Sequence, residues 1–596
     1  MIRTYMSYDT ETTGLDWSLG DKVFTYSTCT FKGETEVKRI DGGAVRKVVN
    51  TEHLRKLWTD DSIIKVMHHA KFDLHMTEGV LGRELDIPFT NDFHDTLILS
   101  KLLVRSLSFG LKDLCWEMFG YPKDDEQDVL KFAPHKRYDL VPEHIMTKYQ
   151  IRDAERTMLL FRALYPELLK HPALKAIYDM EIMLIRHTLR SEQLGLKYDK
   201  EEAATIKVSL TKQLKELTHK MQNTYGRYIS GSSGDDVAWL LYDKLGLDEI
   251  KKTKKKKRST DLEVLNFYRL RGVEAASDVM HMRALSYGLS AMKSYEKYCA
   301  SDGRVHPGIN TYGAITGRES CTKPNLQNVS KDSSGRNPYA FPARRLFIVD
   351  EGYVNLYIDF AGIELRLIAN CSKDIDLIAL IRSGRDPHMY AARVFYGNLY
   401  KYIEARPDAK EAMIAIRYAA KQGTYALAYG ASGKKLGIVL GLLPAEGLQA
   451  LKRYRDEFRG VARFSKECID TVSKNGTITT EFGRVIRCDR HERYKAPNYM
   501  VQGTAADILK MAYVRVADYM REAMFGEAGI VLPIHDELMI RYPISRLNEL
   551  DEHLDTIKTL MTYYENLVVP MKVEVKISED RWINAHDYIG QLKGGE

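Results

Sequence analysis

The sequence lacks a long apolar segment, a paired-cysteine motif and a large excess of either charge sign. None of its apolar runs approaches the roughly 18 uninterrupted residues of a membrane-spanning helix, so no membrane segment is predicted. The seven cysteines are scattered, odd in number and never spaced as C-x-x-C. A disulfide framework and a zinc site are therefore not expected. The cysteines are Cys29, Cys115, Cys299, Cys321, Cys371, Cys468 and Cys488.

The length and the charge of the chain restrict its organisation and its partners. With 596 residues, the chain exceeds the roughly 250 to 300 residues at which single cores stop growing, so at least two domains are expected. A net charge of +7 permits a polyanionic partner without requiring one. The first residues lead into an alternating strand pattern without the apolar stretch of a secretion signal, which predicts a protein that stays where it is made.

One acidic residue, Asp359, stands where a predicted strand gives way to a predicted helix. From Tyr353 to Asp359 apolar residues alternate with polar ones, which is the period of a strand with one buried and one open face. Ile363, Leu367 and Cys371 then recur every four residues, as in a helix. Asp359 is therefore either a metal ligand on the open face or the N-cap of the helix, and this segment alone leaves both interpretations open.

A second set of acidic residues begins near the start of the chain. Asp9 and Glu11 are two residues apart in a predicted strand, so they point to the same face and can share a divalent cation. Tyr149 and Asp153 are four residues apart, which places them on one face of a helix. Asp73 lies between these two segments of the sequence.

The order and spacing of these residues resemble the three motifs of the proofreading 3′–5′ exonuclease domain of DNA polymerases. The resemblance implies that two metal ions are held by four carboxylates, Asp9, Glu11, Asp73 and Asp153. It also implies that Tyr149 orients the attacking water. The family usually has asparagine where this chain has His69, a departure that leaves the carboxylate set complete.

A basic run at residues 251–258 has seven lysines or arginines in eight positions. It is either a solvated loop or targeting patch, or a loop whose cations bind phosphates and release counterions from a duplex. Residues 229–258 resemble the thumb of family A DNA polymerases, which implies contact with the primer-template duplex. The predicted DNA contacts in this run are Lys254, Lys255, Lys256 and Lys257.

Two motifs precede the strand that carries Asp359. Residues 311–320 and 324–328 resemble family A signatures, with Ala314 in place of a threonine in the first. By this resemblance, Arg318 lies near the primer terminus. Amide side chains offer both hydrogen-bond donors and acceptors, which suits them to base edges in the minor groove. The amides predicted to contact DNA are Asn325, Gln327 and Asn328.

A helical segment beginning at residue 417 carries a stripe of cationic and aromatic side chains. Because residues four apart drift only about 40° around a helix, one face is shared by Arg417, Lys421, Tyr425 and Tyr429. The cations suit phosphates, and a tyrosine can stack near a sugar or base. A solvated basic face is the alternative interpretation, and it does not account for the two tyrosines.

This segment matches the fingers helix of family A polymerases, which closes over the incoming nucleotide, although Thr424 departs from the family pattern. The resemblance implies that His388 contributes to binding the triphosphate. It also assigns Glu364 as the steric gate against a ribose 2′-hydroxyl. Gly362 replaces a family glutamine, so minor-groove contacts at this position are expected to be weaker or supplied elsewhere.

The segment Pro497–Ile508 resembles the family helix N-x-x-x-Q-G-T-A-A-D. Asn498 and Gln502 are four residues apart on one face of this helix and are predicted to contact the DNA. The preceding residues, 484–493, form a charged connector to which no function is assigned.

A hairpin with acids at its tip is predicted for Gly529–Arg541, because two apolar runs flank His-Asp-Glu. The H-D-E sequence matches motif C of family A polymerases. The match implies that Asp536 is the second metal-binding carboxylate, that Glu537 is catalytic and that His535 contacts DNA.

Together these resemblances predict a DNA polymerase I-like family A polymerase with a 3′–5′ exonuclease domain, of the phage type without a 5′ nuclease domain. The predicted fold is multidomain α/β, with a ribonuclease H-like exonuclease domain followed by a right-hand polymerase domain. The exonuclease domain is placed at 1–172 and the polymerase domain at 173–596. Within the latter, the thumb covers about 173–300, the palm about 301–371 and 491–596, and the fingers about 372–490.

The implied activity is template-directed DNA synthesis with exonucleolytic proofreading, in the replication of a phage genome. Two Mg²⁺ ions are expected at each site, those of the polymerase site on Asp359 and Asp536, with Mn²⁺ able to substitute. The expected partners are primer-template DNA, deoxynucleoside triphosphates and replisome accessory proteins. The expected state is a cytoplasmic monomer, in the bacterial host if a phage encodes it. The alternatives are a nuclease-only enzyme and a non-catalytic nucleic-acid-binding relative.

Overall fold

The structure, a computed structural model, describes residues 3–39, 51–134, 137–253, 255–331, 338–406, 409–428, 430–524 and 526–590. Its two larger sheets have five strands each. Within the described ranges, no helix combines the length and apolarity that crossing a membrane would require. All seven cysteines are free thiols.

The first five-stranded sheet lies in the predicted exonuclease domain. Its middle strand, Thr4–Thr12, pairs antiparallel with Val23–Thr30 and parallel with Ile63–Met67. Thr35–Arg39 and Phe93–Asp95 form its edges. The sheet is thus mixed, with two parallel and two antiparallel pairs of neighbouring strands. The surrounding helices are Glu52–Thr59, Ala70–Leu81, Ile87–Thr90, Thr96–Leu103, Leu111–Phe119, Asp124–Leu130 and Glu143–Leu169.

The helix that follows, Pro172–Leu194, connects the two halves of the chain and is named here the connecting helix. The preceding helix, Glu143–Leu169, continues through Pro166 and ends next to the predicted domain boundary at residue 172. In the connecting helix, Tyr178 is buried in the core beside the first sheet, whereas Leu184 is buried in the core of the second. The connecting helix therefore contributes to both cores.

The second five-stranded sheet carries Asp359 near the end of its middle strand. All its neighbouring strands are antiparallel. Their order is Gly529–Ile534, Glu537–Pro543, Tyr353–Phe360, Val573–Ser578 and His586–Asp587. The sheet thus combines the strands around Asp359, Asp536 and Val573, as predicted for the palm.

The expectation of one open face for the strand Tyr353–Phe360 is wrong. Both faces of this strand are covered, each by a different core. Ile358 packs in the core with the helices on one face, and Tyr357 packs on the other, where its ring stacks on Trp582 at 6.4 Å. Tyr357 is only 1% exposed. Asp359 is partly exposed because it lies near the end of the strand.

The interpretation of Asp359 as a helix cap is also wrong. The N-cap of the helix Ile363–Ser372 is Gly362, and no side chain makes a cap hydrogen bond at that position. Gly362 has a φ of 64°, in the left-handed region that glycine enters without a steric penalty. The glycine at this position is therefore explained by the backbone turn, and Asp359 is left for another role.

The remaining helices cover the predicted thumb, fingers and palm. Those of the thumb region are Lys200–Tyr225, Gly234–Ala238, Leu262–Arg269 and Glu274–Lys297. Those of the fingers region are Ile375–Arg382, Pro387–Tyr396, Asn398–Glu404, Ala409–Ala428, Gly433–Leu440, Pro444–Glu457 and Arg459–Asn475. Those beside the second sheet are Ala496–Ala523 and Leu550–Thr562.

Short strands form three small sheets. A three-stranded sheet is made by Phe347–Ile348, Leu196–Tyr198 and Arg304–Val305. Two hairpins are made by Gly308–Asn310 with Ser320–Thr322 and by Thr477–Thr479 with Val485–Arg487.

A buried ionic cluster ties the connecting helix to the second core. The Arg484 guanidinium binds Glu181 of the connecting helix and Asp507 of Ala496–Ala523, each at 2.7 Å, and all three side chains are fully buried. Lys510 binds Glu181 at 2.5 Å. These four residues form the Arg484 cluster. The connector 484–493, to which no function was assigned, thus begins with a residue that holds two distant helices together.

We expect Glu181→Ala to lower the free energy of unfolding by about 3 to 5 kcal/mol, because it leaves Arg484 and Lys510 buried with too few acidic partners. Urea unfolding monitored by circular dichroism measures this loss. The control is Asp179→Ala on the same helix, which removes an exposed pair with Lys175 worth at most about 1 kcal/mol. Equal losses in the two variants would contradict the role assigned to the cluster.

Candidate active sites

Four carboxylates meet at one end of the second sheet. Asp359 lies directly opposite Glu537 on one neighbouring strand and opposite Glu574 on the other. Asp536 belongs to the tight turn before Glu537, and its backbone carbonyl accepts a hydrogen bond from the Phe360 N–H at 3.1 Å. Because like charges directly opposite each other destabilise a sheet, this acidic row points to a function rather than to folding.

The crowding of these acids shifts their protonation. Burial, followed by repulsion from Asp536, Glu537 and Glu574, raises the pKa of Asp359 to about 7. Burial is also the main cause of the raised pKa values of Asp536 and Glu537. Within the described part of the chain, one carboxylate oxygen of Glu537 is buried without a hydrogen-bond partner. Such under-compensated oxygen ligands suit a divalent cation like Mg²⁺.

The residues predicted to contact the primer side lie next to these acids. Arg318 binds Glu364, the predicted steric gate, at 2.8 Å. The Gln327 side chain donates to the carbonyl of Pro533, at the base of the acidic hairpin, at 3.1 Å. Asn325 and Asn328 are exposed beside them. This group therefore forms an open polar surface next to the acidic row.

The predicted nucleotide-binding face lies on the helix Ala409–Ala428. The ring of Tyr425 lies 6.0 Å from that of His388, on the neighbouring helix Pro387–Tyr396. Burial, followed by the charges of Glu364 and Asp536, raises the pKa of Tyr425 to about 12, which links this face electrostatically to the acidic row. Tyr429, predicted to extend the stripe, lies outside the described residues.

Cationic groups surround His388. Burial, followed by the charges of Lys421 and Arg417, lowers the pKa of His388 to about 4, so its ring is neutral near pH 7. Its Nδ1 is buried without a hydrogen-bond partner in the described structure. Arg417 is half-exposed and binds Asp386 at 2.5 Å. The face thus offers two cations and a neutral imidazole to an anionic ligand.

Other predicted DNA contacts lie at the rim of the second sheet and in the thumb region. On Ala496–Ala523, the Asn498 side-chain oxygen is buried without a partner among the described residues, and Gln502 is partly exposed. His535 is exposed at the hairpin tip with a φ of 58°. Of the four lysines predicted to contact DNA in the basic run, Lys254 lies outside the described residues, and Lys255, Lys256 and Lys257 are exposed.

A second acidic cluster lies on the first sheet. Asp9, Glu11 and Asp153 each offer a ligand oxygen, and these atoms lie within 4.8 Å of one another. Asp73 lies outside this group of three, and its Oδ1 accepts hydrogen bonds from the Thr10 N–H at 3.1 Å and the Thr10 hydroxyl at 2.6 Å. Strand alternation places Asp9 and Glu11 on one face, as predicted. The three grouped acids form a candidate cation site.

The acids of this cluster also have raised pKa values. Burial, followed by repulsion from Asp153, raises the pKa of Glu11 to about 8, and burial raises that of Asp73 to about 7. Burial and then the charge of Glu11 raise the pKa of Asp9. His69, which replaces the family asparagine, has a φ of 73°, a conformation in which both His and Asn are enriched. The departure is thus compatible with the same local backbone.

Several residues of these sites carry no motif that identifies them in the sequence. Glu574 completes the acidic row, and its alternation with Val573 and Val575 on a half-buried strand is the only sequence signal. In the first site, Lys112 and Arg156 bind the two oxygens of Asp153. Lys112 comes from a separate helix, Leu111–Phe119, whereas Arg156 lies one turn after Asp153 on the same helix.

Two acidic clusters on two sheets, one beside a cationic nucleotide-sized face, define the class of exonuclease-bearing polymerases. The chain belongs to DNA polymerase family A, whose family model matches residues 200–584, and a 3′–5′ exonuclease model matches residues 2–169. The predicted family and fold class are therefore confirmed. Enzymes of these families depend on divalent metal, generally Mg²⁺, and the acid triad Asp9, Glu11 and Asp153 fits that requirement.

Individual relatives agree with this assignment. DNA polymerase I of Pseudomonas aeruginosa is 26% identical over an alignment 609 residues long, which covers 98% of this chain and 64% of the relative. A thermostable DNA polymerase I of Thermus thermophilus is 30% identical over 517 residues, or 82% of this chain and 58% of the relative. The chain therefore spans between half and two thirds of the length of these curated relatives.

A solved structure matches the fold of nearly the whole chain. It is the polymerase domain of Pol1 from M. smegmatis in complex with a DNA primer-template and dNTP, with a TM-score of 0.79 and 24% identity. The match covers 98% of this chain and 96% of that chain. Both regions, from the first sheet to the second, thus share their arrangement with that protein.

We expect the affinity for Mn²⁺ to rise at least about tenfold between about pH 6 and about pH 9, because cation binding needs ionised carboxylates and several acids here titrate near pH 7 to 8. Electron paramagnetic resonance of free Mn²⁺ measures the affinity. Glu11→Gln should flatten the pH dependence, whereas Glu34→Gln, on an exposed turn of the same sheet, should not. An affinity that is independent of pH would contradict the shifted acids.

Proposed function

We propose that this chain synthesises DNA on a template from deoxynucleoside triphosphates and proofreads the product with a 3′–5′ exonuclease. The observation that carries the proposal is the convergence of the nucleotide-binding face, through Tyr425, on the acidic row at Asp359 and Asp536. A nuclease-only enzyme would have no use for this face. A non-catalytic binding protein would have no use for crowded acids that cost stability.

In the proposed synthesis, Asp359 and Asp536 hold two Mg²⁺ ions, for which Mn²⁺ can substitute. When bound, the ions activate the primer 3′-hydroxyl and neutralise the charge of the departing pyrophosphate. Arg417 releases Asp386 and binds a phosphate oxygen of the nucleotide. Lys421 binds a second phosphate oxygen. Glu537 supports the acidic row at the edge of the site.

Three further side chains of the proposed site, those of His388, Tyr425 and Glu364, select and orient the nucleotide. His388 is neutral and donates a hydrogen bond to the triphosphate from its unpaired, buried ring nitrogen. Tyr425 stacks near the sugar and base. Glu364, held by Arg318, stands against the position of a ribose 2′-hydroxyl and so favours deoxynucleotides.

In the proposed exonuclease site, two Mg²⁺ ions would be held by Asp9, Glu11, Asp73 and Asp153, of which Asp9, Glu11 and Asp153 offer ligand oxygens within 4.8 Å of one another. Bound metal supplies an activated water and stabilises the leaving oxygen. Tyr149 orients that water. The role of Asp73 is supported by the proximity of its charge to Asp9, whose pKa it raises.

The DNA path proposed here runs past both sites. The duplex would lie along the exposed lysines of the basic run, which bind phosphates, and against the amide side chains in the minor groove. These amides are Asn325, Gln327, Asn328, Asn498 and Gln502, with His535 beside them. We further propose that the protein acts as a cytoplasmic monomer with replisome accessory proteins, in the replication of a phage genome.

Separate substitutions test the two activities. We expect Asp359→Ala or Asp536→Ala to slow extension of a primed template by at least about a thousandfold while leaving 3′–5′ degradation of single-stranded DNA intact. Asp9→Ala should abolish degradation and spare extension. Both reactions are followed on labelled oligonucleotides with Mg²⁺.

The matched control is Glu351→Ala, which removes an exposed acid at the opposite end of the strand that carries Asp359. It should leave both activities unchanged. Loss of both activities from a single site substitution would contradict two separate sites. Degradation without any extension by the unaltered protein would favour the nuclease-only alternative, and absence of both would favour the non-catalytic one.

A further inference from the structure

A lysine side chain, that of Lys112, lies among the acids of the proposed exonuclease site. The Lys112 ammonium donates to Asp153 Oδ2 at 3.0 Å and to the Tyr149 hydroxyl oxygen at 2.9 Å. It also lies 4.3 Å from the centre of the Tyr149 ring. Its side chain is 14% exposed, so the contacts are largely shielded from water. One side chain therefore contacts both a candidate cation ligand and the tyrosine predicted to orient the attacking water.

The position of Lys112 is electrostatically unfavourable without these partners. It lies in the first turn of the helix Leu111–Phe119, where the helix dipole opposes a positive charge. Burial also lowers its pKa, but attraction by Asp153 and their hydrogen bond outweigh burial, so the pKa of Lys112 is raised. The acids of the site thus stabilise the lysine at a place where a neutral residue would otherwise be preferred.

Local contacts away from the site fix the start of this helix. Asp113, next to Lys112, accepts a hydrogen bond from Ser108 at 2.6 Å and an ion pair from Lys123 at 2.7 Å. Gly110 is the N-cap residue. These contacts set the direction in which Lys112 leaves the backbone.

The two oxygens of Asp153 have different cationic partners. Oδ1 accepts from Arg156 at 2.6 Å, and Arg156 is fully buried and gripped by Asp125 at 2.6 and 2.7 Å. Oδ2 accepts from Lys112, whose side chain is less enclosed, at 14% exposed against 0% for Arg156. Arg156 is therefore a permanent partner, whereas Lys112 is able to shift when a divalent cation binds Asp9, Glu11 and Asp153.

We propose that Lys112 is a positioning residue of the exonuclease site that holds Tyr149 in its working orientation and competes with the divalent cation for Asp153. By donating to the Tyr149 oxygen, the ammonium leaves the tyrosine O–H free to point towards the attacking water. By neutralising Asp153, it offsets repulsion among the acids before the cation arrives. The proposal rests on the exonuclease function proposed above.

The two roles predict opposite effects of one substitution. In Lys112→Met, removal of a competing positive charge should tighten Mn²⁺ binding at the exonuclease site by about fivefold or more. The loss of the tyrosine contact should lower the kcat of nucleotide removal about tenfold or more, with little change in KM. If Lys112 were needed only for folding, Lys112→Met would weaken Mn²⁺ binding and also lower the kcat of nucleotide removal.

Mn²⁺ binding is measured by electron paramagnetic resonance in the full chain carrying Asp359→Ala and Asp536→Ala, so that the exonuclease site dominates. Lys112→Arg should restore most of the turnover and the weaker affinity, because it keeps the charge and a donor. Lys131→Met, which removes an exposed lysine of the same domain that pairs with Asp128, should alter neither quantity.

Tighter Mn²⁺ binding with slower turnover in Lys112→Met, reversed by arginine, would support the proposal. Unchanged or weaker Mn²⁺ binding in Lys112→Met would overturn it, as would unchanged turnover. If the unaltered protein degrades no DNA, the exonuclease function itself fails. The binding comparison then still decides whether Lys112 competes for Asp153.

Discussion

Repulsion between buried carboxylates is the constraint around which both halves of this protein are arranged. In the second sheet, antiparallel pairing on both sides of the middle strand sets Asp359 directly against Glu537 and Glu574. In the first sheet, strand alternation brings Asp9 and Glu11 to one face. Burial, followed by repulsion from the neighbouring acids, raises the pKa of Asp359 to about 7 and that of Glu11 to about 8, so a bound divalent cation would stabilise the ionised carboxylates.

The two clusters are balanced in different ways. The exonuclease site has its own cations, because Lys112 and Arg156 both bind Asp153. At the second cluster, the charge of Arg318 lowers the pKa of Asp536 and the charges of Arg344 and Lys576 lower that of Glu537, while Arg318 also binds Glu364. The connecting helix packs in the cores beside both sheets, and the Arg484 cluster binds it to the second core.

Most of the candidate site residues could be predicted from short motifs, because each motif places its side chains by strand or helix periodicity within a few residues. The residues that escaped prediction depend on distant partners. Arg484 meets Glu181 across 303 positions of the chain, and nothing local marks it as buried. The two covered faces of the strand before Asp359 likewise depend on distant segments, such as the one with Trp582 that stacks on Tyr357, and alternation within the strand does not reveal them.

The central claim is that one chain holds two separate divalent-cation sites. The most direct test is a crystal of the protein soaked in Mn²⁺ and measured at a wavelength where manganese scatters anomalously. We expect anomalous peaks between Asp9, Glu11 and Asp153 and between Asp359 and Asp536, with the first lost in Asp9→Ala and the second in Asp359→Ala. Absence of a peak from either cluster, or loss of both peaks in one variant, would contradict it.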